Sequence, residues 1–128
     1  MNFNSQICTT RSQSERLLAL GVKKKTADMH HYKWSEGYWD IQACPVRGSE
    51  PHYIPAWSLH RLIEMMPTVI TREDYCLILG VNATCVYYAD DEYAETFKAF
   101  EGNLYECMVK CVEWLIEEGY FNKEYLEE

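Results

Sequence analysis

Residues 54–67 read Ile-Pro-Ala-Trp-Ser-Leu-His-Arg-Leu-Ile-Glu-Met-Met-Pro, a helix whose start, apolar face and stop are all written in the chain. Pro55 holds Ile54 extended, and Ser58 is the natural N-cap. Leu59, Leu62, Ile63 and Met66 then recur at i, i+3, i+4 and i+7 on one face. Pro67 cannot continue the helix. A helix with one apolar face must lay it on a sheet or on another helix, so the segments on either side decide the fold.

Upstream, a helix is expected from about Ser12 to Leu20. Thr10 and Gln13 have capping-box spacing, and Gly21 stands where a helix ends in a left-handed residue. Leu17, Leu18 and Leu20 give it an apolar side, with Val22 able to fold back over its end. Lys23, Lys24 and Lys25 follow at the negative end of the helix dipole, where a solvated helix exit is favoured over a phosphate contact. Residues 29–43 read as a hairpin: Tyr32 and Trp34 alternate, Ser35-Glu36-Gly37 turns, and Trp39 and Ile41 alternate again. Pro45, Gly48 and Pro51 mark the stretch from Cys44 to His52 as a loop.

Downstream, Tyr75–Val81 and Ala83–Ala89 are β-rich runs around a turn at Gly80 to Asn82, closed by Asp90, Asp91 and Glu92. Segment 93–101 suits a strand or a helix equally. Asn103 and Glu106 cap a final helix that stops at Gly119. Its stripe is Leu104, Met108, Cys111, Val112 and Leu115, widened by Val109 and Ile116, with Lys110, Glu113 and Glu117 opposite. The expected fold is α+β: one domain over residues 1–128, with an antiparallel sheet of three to five strands and about three helices packed on it.

Length and composition agree with a folded chain. It has 128 residues, 48% of them apolar and 25% charged, enough for one core without staples. No apolar run approaches the roughly 20 residues that span a bilayer. The first residues, Met-Asn-Phe-Asn-Ser-Gln-Ile-Cys, lack the basic start and apolar block of a signal peptide, so a cytoplasmic location away from the membrane is expected. The six cysteines form no Cys-x-x-Cys pair and read as reduced, structural thiols. The net charge of −8 is uneven: residues 1–64 hold eight Lys/Arg against six Asp/Glu, residues 65–128 four against fourteen. An acidic half repels phosphates, which argues against direct nucleic-acid binding.

No stretch carries a specific catalytic signature. The chain has no Gly-x-Ser-x-Gly elbow, no phosphate-cradling glycine loop and no His-Glu-x-x-His pair. His30 and His31 are adjacent, so on a strand they face opposite ways, and neither they nor His52, His60 and Cys44 have ligand spacing. No metal site, catalytic residue or cofactor is assigned. Asp90, Asp91 and Glu92 suit a divalent cation in principle, but three acids at a strand end are more often a solvated turn. Asp28 is read as the anchor of a turn, ahead of a place at the mouth of a site beside Trp57. The feature that stands out is aromatic. Tyr32, Trp34, Tyr38, Trp39, Tyr53 and Trp57 crowd residues 32–57, and such rings either anchor a partner or fill a core. Trp57, beside a helix start, reads as core. Tyr32, Trp34, Tyr38 and Trp39 are the candidate binding residues, because both hairpin faces carry aromatics and one face should meet solvent.

Three blocks carry a family resemblance. The first is Cys8-Thr9-Thr10 with Gln13-Ser14, Leu17-Leu18, Gly21 and Thr26-Ala27-Asp28-Met29. The second is Ile54-Pro55-Ala56-Trp57-Ser58-Leu59 with Leu62-Ile63 and Met66-Pro67. The third is Tyr105-Glu106-Cys107-Met108 with Trp114-Leu115 and Gly119. In these the chain resembles small uncharacterised proteins of prophages and other mobile elements of anaerobic gut bacteria. It departs from them in the acidic stretch 90–101 and in a tail beyond Gly119. The resemblance implies a compact α+β fold and a mobile-element origin, and no activity. The leading functional expectation is therefore a non-enzymatic module that binds a host or phage protein. A small metal-dependent nuclease or hydrolase using Asp90, Asp91 and Glu92 is the alternative. An acidic nucleic-acid mimic ranks last, since Lys110 interrupts the row Glu106, Glu113, Glu117 and Glu118.

Overall fold

A computed structural model describes residues 6–46, 52–72, 75–92 and 95–127. Gly48, Pro51, Tyr93 and the start of the chain, each used in the sequence reading, lie outside these residues. The α+β class holds: three α-helices and two antiparallel sheets are found among the described residues. The strands are shared between a three-stranded and a four-stranded sheet rather than gathered in one. The chain divides into two compact units, Met1–Ile63 with Glu124–Glu128, and Glu64–Lys123.

In the first unit, helix α1 (Arg11–Ala19) opens on the expected capping box. Gln13 donates its backbone N–H to Thr10 Oγ1 at 3.1 Å, and Gln13 Oε1 accepts the Thr10 N–H at 2.9 Å. Gly21 ends it at φ +94°, a conformation only glycine adopts without strain. Strand β1 (Met29–Lys33) is central, flanked by β2 (Trp39–Gln42) and β3 (Tyr53–Ala56), both antiparallel to it. The expected hairpin is thus β1–β2, turning at Gly37 with φ +95°. β3 is an addition to it. Pro55 lacks an N–H, yet it is tolerated because β3 lies at the sheet edge. Trp57 follows directly and is fully buried, as its place before a helix suggested.

Helix α2 (Leu59–Met65) is the one expected between Ser58 and Pro67. Ser58 caps it, its hydroxyl accepting the Arg61 N–H at 3.1 Å. The end of the chain also belongs to the first unit. Lys23 donates its N–H to the Tyr125 carbonyl at 2.8 Å, and Val22 bridges Leu126. The tail beyond Gly119 is therefore part of the fold.

The second unit is a β4–β5–β6–β7 meander with one helix. Its strands are β4 (Val69–Thr71), β5 (Cys76–Asn82), β6 (Cys85–Asp90) and β7 (Thr96–Glu101). The turn between β5 and β6 falls at Ala83-Thr84, past the expected Gly80 to Asn82, and Asn82 Oδ1 steadies it by accepting the Thr84 N–H at 3.0 Å. Gly80 is a strand residue paired with Tyr87, whose ring covers it so closely that a Cβ would fall 2.2 Å from a ring carbon. Within the undecided segment 93–101, Thr96–Glu101 is strand. Helix α3 (Leu104–Glu117) lies on β6 and β7. It is capped by Asn103, whose side chain accepts the Glu106 N–H at 3.1 Å, and buries Met108, Val109, Cys111, Val112 and Leu115.

Candidate binding face

Strand pairing sorts the first unit's aromatics onto two faces. Residues opposite each other across an antiparallel pair point the same way. His30 opposes Gln42 and Pro55, and Tyr32 opposes Asp40 and Tyr53, so these six share one face, with Trp34 two residues further on. The other face carries Met29, His31, Ile54 and Ala56, and helix α1 packs against β3. Cys8, Met29 and Ala56 form a buried cluster there.

The first face is open and aromatic toward the hairpin turn, while His30 and Pro55 on it are buried. Tyr32 meets Trp34 edge-to-face at 5.0 Å between centroids, and Trp34 stacks on Tyr38 at 6.3 Å and 26°. Trp34 is 40% exposed and Tyr38 57%. A groove of about 320 Å³ runs beside them, lined by His30, Tyr32, Trp34, Gln42, Cys44, Pro45 and Val46. His30 fixes its wall, donating from Nδ1 to the Cys44 carbonyl at 2.7 Å while its ring stands edge-on to Tyr53. A second groove of about 290 Å³ shares Pro45 and Val46 and continues over Tyr53 and Pro55 to Lys24 and Lys25. These lysines sit on a 3₁₀ turn, Lys24–Thr26.

Of the four candidate residues, three meet on this face: Tyr32, Trp34 and Tyr38. Trp39 does not join them. It opposes Lys33 in register, which turns it to the other face, where the Arg11 guanidinium lies 4.6 Å from its ring centroid. Lys24 and Lys25, read from sequence as a solvated helix exit, are exposed but line a groove with Tyr53. No local signal connects residues so far apart in sequence.

Two other candidates have structural geometry. Asp28 accepts the Ser58 N–H on Oδ1 at 2.8 Å and the Ser58 hydroxyl on Oδ2, so the carboxylate serves the start of α2. Asp90 accepts the Glu92 N–H at 2.9 Å, closing a turn at the end of β6. Among the described residues no three His, Cys, Asp or Glu side chains are grouped to hold a metal ion.

One pairing had no sequence signal. Cys8 Sγ lies 4.0 Å from His31 Nε2, deep in the first unit. That nitrogen also sits 2.7 Å from the Thr9 carbonyl. A carbonyl only accepts, so Nε2 carries the proton and is no base toward the thiol. Burial, with the Asp28 carboxylate adding to it, pushes the Cys8 thiol up to about 11. A neutral thiol beside a protonated nitrogen is packing, whereas nucleophilic cysteines need a depressed pKa.

No protein-family model, curated protein or solved structure matches this chain. No helix among the described residues is long and apolar enough to cross a membrane.

Proposed function

We propose that this chain is a non-enzymatic protein-binding module of a prophage or mobile element, and that it binds a host or phage protein through the open face of the β2–β1–β3 sheet. The observation that carries this reading is the stacked pair Trp34 and Tyr38, both exposed beside a groove. Tryptophan and tyrosine are the residues that most often dominate binding energy, where their rings enter or wall a pocket that can shed water. A pair serving only the hairpin would gain most by being covered, and this pair is not. The mobile-element origin rests on the resemblance in the three sequence blocks.

The test is affinity capture from host lysate with three tagged proteins: the native chain, Trp34→Ala with Tyr38→Ala, and Ile41→Ala. Ile41 is 41% exposed on the same hairpin but lies on the opposite face. A partner held by the native chain and by Ile41→Ala, and lost with the double variant, is the expected result. A partner retained equally by all three places the binding surface elsewhere.

A further inference from the structure

We propose that the open face takes an extended, proline-containing segment followed by acidic residues, with proline in the aromatic groove and the acids on Lys24 and Lys25. This rests on the protein-binding reading above and names the chemistry of the partner.

Three observations converge on that ligand. The first groove is walled mainly by rings and apolar atoms of Tyr32, Trp34, Pro45 and Val46, with His30, Gln42 and Cys44 supplying its polar part. Such aromatic-lined grooves suit polyproline II segments, whose stiffness leaves little ordering entropy to lose on binding. The second groove contributes two exposed ammonium groups next to Tyr53 and Pro55, which matches carboxylates and not a second basic chain.

The two grooves are also continuous: Pro45 and Val46 line both, so one extended segment can run from the aromatic wall to the lysines.

The experiment is a titration of the whole protein, followed by tryptophan fluorescence, with three synthetic peptides of equal length. One alternates proline and alanine and ends in glutamates. The second replaces the prolines with alanine, and the third replaces the glutamates with glutamine. The first peptide should bind, and the second should bind at least about tenfold more weakly. The third should lose several-fold in affinity together with most of the salt dependence. Trp34→Ala should abolish binding, read by calorimetry because the reporter is gone, and Tyr38→Ala should weaken it. Both side chains are exposed, so circular dichroism should show folding intact. Lys24→Ala with Lys25→Ala should make the acidic and neutral peptides equivalent. Equal affinity for proline and alanine peptides, or no binding of any peptide at millimolar concentration, overturns this inference. If lysate capture still depends on Trp34 and Tyr38 in that case, the protein-binding reading stands and only the ligand chemistry is wrong.

Discussion

The carboxylate of Asp28 holds Ser58 by both oxygens, one on its backbone N–H and one on its hydroxyl. Ser58 in turn caps α2 through Arg61. The start of the helix is thereby tied to the segment leading into β1. Around it, Trp57 Nε1 donates to Thr26 Oγ1 at 2.9 Å, and Arg61 Nε donates to the Thr26 carbonyl at 2.7 Å. The Thr-Ala-Asp-Met and Ile-Pro-Ala-Trp-Ser stretches are thus two halves of one polar junction.

Replacing Asp28 with alanine should therefore cost more than an ordinary surface change. It removes two hydrogen bonds to a carboxylate, and bonds to charged groups contribute about 1.5–3 kcal/mol each at most. A loss of about 2–3 kcal/mol is expected in urea denaturation, after allowing for water replacing part of the interaction. Asp28→Asn keeps one acceptor and should lose about half as much. Equal stability of Asp28→Ala and the native chain would remove the junction from the account.

Gly80 and Tyr87 provide a separable test in the second unit. A methyl group at Gly80 would collide with the Tyr87 ring, so Gly80→Ala should destabilise by about 1–3 kcal/mol through overpacking. In Tyr87→Ala the ring that the methyl would meet is gone, and the alanine should then be neutral or slightly stabilising in a strand. The double-mutant cycle should give a coupling of about 1 kcal/mol or more. Additive effects would show that the ring does not rest on the glycine.

The buried thiols set the alkaline behaviour. Cys8 is raised from 9.0 to about 11 and Cys111 from 9.0 to about 12, in both cases mainly by burial. Below pH 9 these thiols are neutral whether the chain is folded or not, so they impose no pH dependence. Above 9 the unfolded chain releases protons that the folded chain keeps, so stability falls as pH rises toward about 11 and 12. Cys8→Ala with Cys111→Ala should flatten that part of the melting-temperature profile. In the native protein at neutral pH, exposed Cys44 should react with a thiol reagent well before buried Cys8, Cys107 or Cys111. Equal reactivity would contradict their burial.

Much of this fold could be read from sequence where the signal is local. The helix caps, glycine stops and apolar stripe of α3 depend on residues three or four apart, and their helices end within a residue or two of expectation. What escaped depends on distant partners. β3 is short and contains Pro55, and only its pairing with β1 makes it a strand. β4 has three residues, too few for periodicity to speak. Gly80 suggested a turn because nothing in a one-dimensional reading places Tyr87 over it. The face itself was half legible: period-two alternation puts Tyr32 and Trp34 together. The turn register that sends Trp39 to the opposite face, and the approach of Lys24 and Lys25, required the tertiary structure.

The most direct test of the binding face is site-specific photocrosslinking from the two sides of one hairpin. A benzophenone side chain is placed at Tyr38 in one protein and at Ile41 in another, each exposed in the native chain, and both are irradiated in host lysate. A discrete adduct from position 38, suppressed by excess native protein, and none from position 41 is the expected result. An adduct from position 41 with none from 38 would contradict it.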